Sequence, residues 1–156
     1  MKAAEAVGIQ IPRFCFHPGL SIAGNCRISL VEVEKMAKLV TSCSTAANQG
    51  MVVHTDNENV RRARRGVLEL MLSNHPLDCP VCDQAGECYL QDYYMTVGLH
   101  KSRFAFPKYH KPKAVPLPPH LALDAERCIL CSRCVRFCQE ITKTRELTIG
   151  WRGNHG

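Results

Sequence analysis

The sequence nowhere runs eighteen apolar residues together, so it is expected to carry no membrane-spanning helix of its own. Its opening residues, MKAAEAVGIQIPRFC, set no continuous apolar stretch behind the single lysine, which argues against a secretory signal and reads as a cytosolic or matrix-type chain. Aromatic residues make up only 6% of the 156, while ten glycines and nine prolines interrupt the rest. With 46% hydrophobic residues the chain can bury one modest core, and small lobes are expected rather than one large one. Aromatics are not interleaved with the basic residues, and no nucleic-acid fold signature appears. The formal charge of +6, densest at Arg61, Arg62, Arg64 and Arg65, is therefore weak ground for a nucleic-acid partner.

What the sequence has in excess is cysteine. Ten in a chain of this length imply that disulfides or metals supplement the hydrophobic core. In a reducing compartment clustered cysteines are more often metal ligands than disulfides. Thiolate-ligated iron clusters also carry negative charge, which would bring the +6 closer to neutral. The cysteines fall into three segments, Cys15 to Cys43, Cys79 to Cys88 and Cys128 to Cys138, and each reads as a separate site.

Local patterns place these segments. AAEAVG reads as a short helix and HPGLSIAGNC as a Gly-containing loop, while LVEVEK (30–35) alternates as a half-buried strand should. In TDNENVRRARRGVLELMLSNHP, Asp56 or Asn57 is the expected N-cap, with Val60, Ala63, Val67, Leu70 and Met71 along one face and Pro76 just past the end. Its arginines, from Arg64 on the flank to Arg62 nearly opposite, read as a solvated surface. FPKYHKPKAVPLPP, with five prolines and three lysines, reads as an extended linker between lobes.

RCILCSRCVRFC is the most diagnostic stretch. Cys128, Cys131 and Cys134 repeat at two-residue gaps, which delivers three thiolates to one small body and leaves backbone N–H groups free for its sulfides. Zinc sites usually pair two C-x2-C units across a longer loop, so this spacing favours a 4Fe-4S cluster. Cys138 follows after three residues. If the chain is helical from Arg133, it shares a face with Cys134 and is either a ligand or a buried free cysteine beside the site.

The second segment, His75-x3-Cys79-x2-Cys82-x5-Cys88, offers four ligands that suit zinc or iron–sulfur equally by number, and a histidine in the last turn of a helix is also commonplace. The first reads Cys15-x10-Cys26-x2-Ser29-x13-Cys43. A 2Fe-2S cluster usually takes four cysteines, and Ser29 stands where a C-x2-C pair with Cys26 would supply the fourth. Serine is a harder, more basic ligand, so Ser29 either completes the site with oxygen or is an ordinary loop residue beside an empty one.

Taken in order, IPRFC and AGNC, then NHPLDCPVCDQAGECYLQD, then RCILCSRCVRFC resemble the large, 75 kDa-type iron–sulfur subunit of respiratory complex I, the NADH:quinone oxidoreductase, over essentially the whole chain. The resemblance implies an α+β chain, a partial 2Fe-2S ferredoxin-like (β-grasp) lobe followed by small, irregular and helical cluster-binding lobes. It divides the chain into residues 1–54, the partial ferredoxin-like domain; 55–105, a helix and the histidine-containing 4Fe-4S domain; 106–120, the linker; and 121–156, a ferredoxin-type 4Fe-4S segment. Carried onto matching positions, Cys15, Cys26 and Cys43 fall on 2Fe-2S ligands with Ser29 in place of the remaining cysteine. His75, Cys79, Cys82 and Cys88 match one 4Fe-4S set completely, and Cys128, Cys131 and Cys134 match three of four ligands of another.

The family's last ligand lies beyond Gly156, so a fourth ligand is expected from Cys138, from a partner or from solvent. Its first hairpin precedes Met1, so the strand at 30–35 is expected to lose sheet partners and expose an edge. The chain thus looks like a central fragment or reduced form of a larger subunit. The function implied is electron transfer, from a flavin-containing NADH-oxidising partner toward quinone, on the cytoplasmic side of a bacterial inner membrane or the mitochondrial matrix side. Flavin and NAD would be bound by partners in the peripheral arm. Two alternatives stand beside it: the electron-transfer subunit of an NAD-linked hydrogenase or formate dehydrogenase, and a zinc-stabilised binding module.

Overall fold

The computed structural model describes residues 1–117 and 119–156. Helix α1, Lys2–Ala6, is a single short turn-and-a-half in the expected place. The alternation in LVEV gives β1, Leu30–Val33, with Val31 and Val33 buried. On either side of it lie two very short strands, β2 (Val40–Thr41) and β3 (Val53–His54), both antiparallel, in the order β2-β1-β3. Leu30 pairs with Thr41, and Glu32 with His54. The expectation that β1 loses its partners and exposes an edge is therefore corrected: β1 is the central strand. Its partners are two residues each, too short for a period-2 pattern to announce them.

Helix α2 runs Glu58–Leu72 from an Asn57 N-cap in extended backbone, whose Oδ1 accepts from the Val60 N–H at 2.9 Å. The same side chain donates to Glu32 on β1 at 2.8 Å, which sets the helix on the sheet. Two details of its expected faces need correction. Leu70 is 69% exposed, and Leu68, at 1%, is the residue that packs. Arg64 is buried rather than solvated: its stem lies in the α2–β1 contact and its Nη2 donates to the Leu30 carbonyl at 2.8 Å. Helix α3, Tyr89–Val97, packs on α2, and Arg65 of α2 donates to the Val97 carbonyl at 3.0 Å.

The proline-rich stretch is not a free linker. Lys108 Nζ donates to the Leu72 and Ser73 carbonyls at 2.6 and 3.2 Å, supplying the C-terminus of α2 with the cation its dipole and orphan carbonyls favour. Further on, β4 (Val115–Leu117) pairs with β5 (Leu121–Leu123) as an antiparallel hairpin. Pro118 of the stretch lies outside the described residues. Helix α4, Arg133–Phe137, continues into a π-helical turn at Cys138–Thr142.

Burial is divided between two small clusters. Ile11, Val31 and Val33 form one beneath α1. Phe14, Ile28, Leu68 and Leu90 form the other, and Cys26, Cys88 and Ile129 pack against it. One apolar cluster thus touches all three cysteine-bearing segments.

Candidate metal centres

In the first segment Cys15 and Cys43 are buried and Cys26 is half-buried. Burial alone pushes the Cys15 thiol up. The Cys26 backbone N–H and thiol, with the N–H groups of Asn25 and Gly24, converge on its sulfur and bring it below its ordinary range. Burial keeps Cys26 above its ordinary range, although the N–H groups of Cys15, Ile28 and Phe14 are directed at its sulfur. Three free thiols, two of them buried and one half-buried, are the donor type a thiolate–iron centre takes, so the residues present fit such a group. Ser29 is buried, and its Oγ has no hydrogen-bond partner.

The second segment begins where α2 ends. Asn74 Oδ1 accepts from the Tyr109 N–H at 2.9 Å, pinning the stretch that carries His75. Burial, and then the neighbouring Lys108, push the His75 imidazole below its ordinary range, which keeps it neutral and able to coordinate. Cys79 opens a 3-10 turn, Cys79–Val81, and is exposed. Gly86, at φ +88°, turns the loop back in a conformation costly for other residues. Cys88 is the N-cap of α3, where the helix dipole favours a thiolate. His75, Cys82 and Cys88 line one cavity of about 530 Å³, floored by Phe14, Leu90 and Ile129.

In the third segment Leu130 and Ser132 both take left-handed backbone, φ +53° and +58°. Non-glycine residues held so cost about 1 kcal/mol or more each, and here they curl the C-x2-C-x2-C loop tightly. Cys128 and Cys134 are exposed and Cys131 is half-buried. Cys138 donates its N–H to the Cys134 carbonyl, so the two cysteines lie one helical turn apart. Cys138 is buried where Cys134 is not.

The segments are also joined to one another. Cys131 lines the cavity of His75, Cys82 and Cys88, while a second cavity of about 580 Å³ has Cys26, His75 and Cys128 together on its wall. Asp78, beside Cys79, is paired with Arg127, beside Cys128, at 2.9 Å, and that guanidinium holds the Asp78 carboxyl below the usual carboxylate range. Arg133 Nη2 donates to the Phe16 carbonyl at 2.7 Å, and Asn25 Nδ2 to the Leu130 carbonyl at 3.2 Å. Arg136, buried, donates to the carbonyls of Cys15, Ser21 and Cys131. The arginines of RCVRFC carry no signal in the sequence, because a carbonyl partner more than a hundred positions away leaves no local trace.

Among the described residues, no three His, Cys, Asp or Glu side chains stand close enough to hold a single metal ion. The donor types, thiolates in three groups with one imidazole in the second, suit iron–sulfur ligation.

Comparison with known proteins agrees. Residues 1–58 match a family described as a 2Fe-2S iron-sulfur cluster binding domain, residues 64–103 the NADH-ubiquinone oxidoreductase-G iron-sulfur binding region, and residues 118–156 the ferredoxin-like domain of NADH-quinone oxidoreductase subunit 3. This defines an iron–sulfur protein with 2Fe-2S and 4Fe-4S types of binding domain. Over 99% of its length the chain is 47% identical to the mitochondrial NADH-ubiquinone oxidoreductase 78 kDa subunit of Candida albicans. It is 48% identical to the mitochondrial NADH dehydrogenase iron-sulfur protein 1 of Solanum tuberosum, and 47% identical to an NADH-quinone oxidoreductase subunit of Rickettsia typhi. It belongs to the family of the large iron–sulfur subunit of complex I, and spans 21 to 23% of the length of these curated relatives.

A subunit of an NAD+-reducing [NiFe]-hydrogenase is similar in structure. Its TM-score is 0.87 at 34% identity, covering 99% of this chain and 64% of that one. No helix among the described residues is long and apolar enough to cross a membrane.

Proposed function

We propose that this chain carries single electrons, as the cluster-bearing part of a complex I-type peripheral arm, from a flavin-containing NADH-oxidising partner toward quinone. Three centres are assigned: a 2Fe-2S site at Cys15, Cys26 and Cys43, a 4Fe-4S site at His75, Cys79, Cys82 and Cys88, and a 4Fe-4S site at Cys128, Cys131 and Cys134 with Cys138 beside it. Clusters held there would take up and release one electron at a time without a change of ligands. The carrying observation is that Cys26, Cys88 and Ile129 pack on one apolar cluster, which draws the three segments around a single apolar centre. Flavin, NAD and quinone belong to partner subunits, and the chain lies on the cytoplasmic or matrix side of the membrane.

Iron, acid-labile sulfide and EPR after reduction test the reading on the anaerobically purified chain. Iron and sulfide in near-equal amounts, with both cluster types visible, are expected; zinc without sulfide overturns it. The hydrogenase neighbour supports a second reading, electron transfer in an NAD-linked hydrogenase, and the higher identity to complex I subunits favours the first. Subunits that co-purify with the chain decide between them.

A further inference from the structure

We propose that Ser29 closes the first site with its side-chain oxygen, so that a two-iron cluster there is held by three sulfurs and one oxygen. This rests on reading that site as a 2Fe-2S centre. Ser29 is 1% exposed, and its Oγ is fully buried with no hydrogen-bond partner. A hydroxyl rotates freely to find a partner, as the nearby Thr41 and Thr45 hydroxyls do, and a buried one left without is costly. The backbone sets Ser29 between two ligand-bearing stretches. It follows Cys26 by three positions, and its carbonyl accepts from the N–H of Ser42, the neighbour of Cys43, at 2.9 Å.

On assembly the Oγ–H bond breaks and the proton leaves to solvent, and an iron–oxygen bond forms where a labile water of the incoming ferric iron departs. No electron moves. An alkoxide is harder and more basic than a thiolate and favours ferric over ferrous iron, so this cluster should be harder to reduce than a four-thiolate one.

The test uses the full chain, purified anaerobically, and its Ser29→Cys, Ser29→Ala and Ser42→Ala variants. Ser42 is the control, because its Oγ is also buried without a partner. The expected result is a 2Fe-2S EPR signal in the unaltered chain under strong reduction. Ser29→Cys should raise its midpoint and move its visible bands to longer wavelength, Ser29→Ala should lose it, and Ser42→Ala should leave it unchanged. Oxygen ligation by Ser29 is overturned if Ser29→Ala keeps the original spectrum and midpoint, if Ser42→Ala alone abolishes the signal, or if only Ser29→Cys shows any signal. Absence of the signal from every variant, Ser29→Cys included, rejects instead the 2Fe-2S reading of the site.

Discussion

The Arg136 guanidinium donates to the carbonyl of Cys15, 121 positions away, and through the same nitrogen to the carbonyl of Cys131 at 3.3 Å. One buried cation thereby fixes the cysteine loop of the first site against that of the third. Its other donors take the Ser21 carbonyl and, at 3.2 Å, Ser132 Oγ. A planar guanidinium reaches all four acceptors at once, and an ammonium does not. Arg136→Gln leaves buried carbonyls unpaired and is expected to cost at least about 2 kcal/mol in denaturant unfolding. Amide exchange at 15–21 and 131–136 should accelerate together, with Arg136→Lys restoring only part; independent responses of the two loops would show that the clamp does not couple them.

Leu68 and Leu70 make the sharpest test of the core. Leu68 is 1% exposed in the cluster that touches all three cysteine segments, while Leu70, two residues on, is 69% exposed. Leu68→Ala should cost about 2–5 kcal/mol, and Leu70→Ala should stay within about 0.5 kcal/mol. The pair of midpoints in chemical denaturation decides it.

That pair also marks the limit of what can be read from the sequence. The start of α2 at Asn57 is legible there, as are β1 and the grouping of the cysteines, because capping, alternation and ligand spacing are local. The inward face of α2 is not, at Leu68 and Arg64. A helical face is settled by what lies against it, and β1 and α3 are distant in sequence. The short strands β2 and β3 and the β4–β5 hairpin carry too few residues for a period. The arginine bridges between sites are invisible for the same nonlocal reason.

Acid should weaken one joint selectively. Glu69 of α2, buried, takes a two-pronged ion pair from Arg103, with Nε to Oε1 at 2.7 Å, and the guanidinium holds its carboxyl below the usual range. A carboxyl lowered in the folded state stabilises fully above its unfolded value of about 4.3, and this stabilisation is lost as pH falls through the lower folded value. Arg103→Ala should lower stability at pH 7, and the gap to the unaltered chain should close as the carboxyl is protonated. Thermal melts from pH 7 down to pH 3 measure it.

His75 lines the two cavities that the cysteine segments share and is the one neutral ligand in the proposed sets. A thiolate in its place adds negative charge to the cluster environment, which disfavours taking up another electron. His75→Cys should therefore lower the midpoint of the second centre while leaving the other two unmoved. EPR-monitored redox titration separates them, and a midpoint that stays put would remove His75 from the ligand set.

Removing the clusters should open the ligand loops and spare α2. The loops at 15–29 and 128–138 carry strained left-handed turns at Arg27, Leu130 and Ser132, the loop at 79–88 turns at Gly86, and strained conformations persist only while their surroundings over-determine them. Helix α2 is fastened by ties that use no ligand: Asn57 to Glu32 at 2.8 Å, Arg64 to Leu30, Arg65 to Val97, and Lys108 on its last carbonyls. Because metal binding supplies folding free energy, a chelator with reductant should lower the melting temperature. In hydrogen exchange the three loops should lose protection first, with amides of residues 60–70 the last to exchange. If α2 exchanges as early as the loops, the clusters hold the whole chain together and the apolar cluster is secondary.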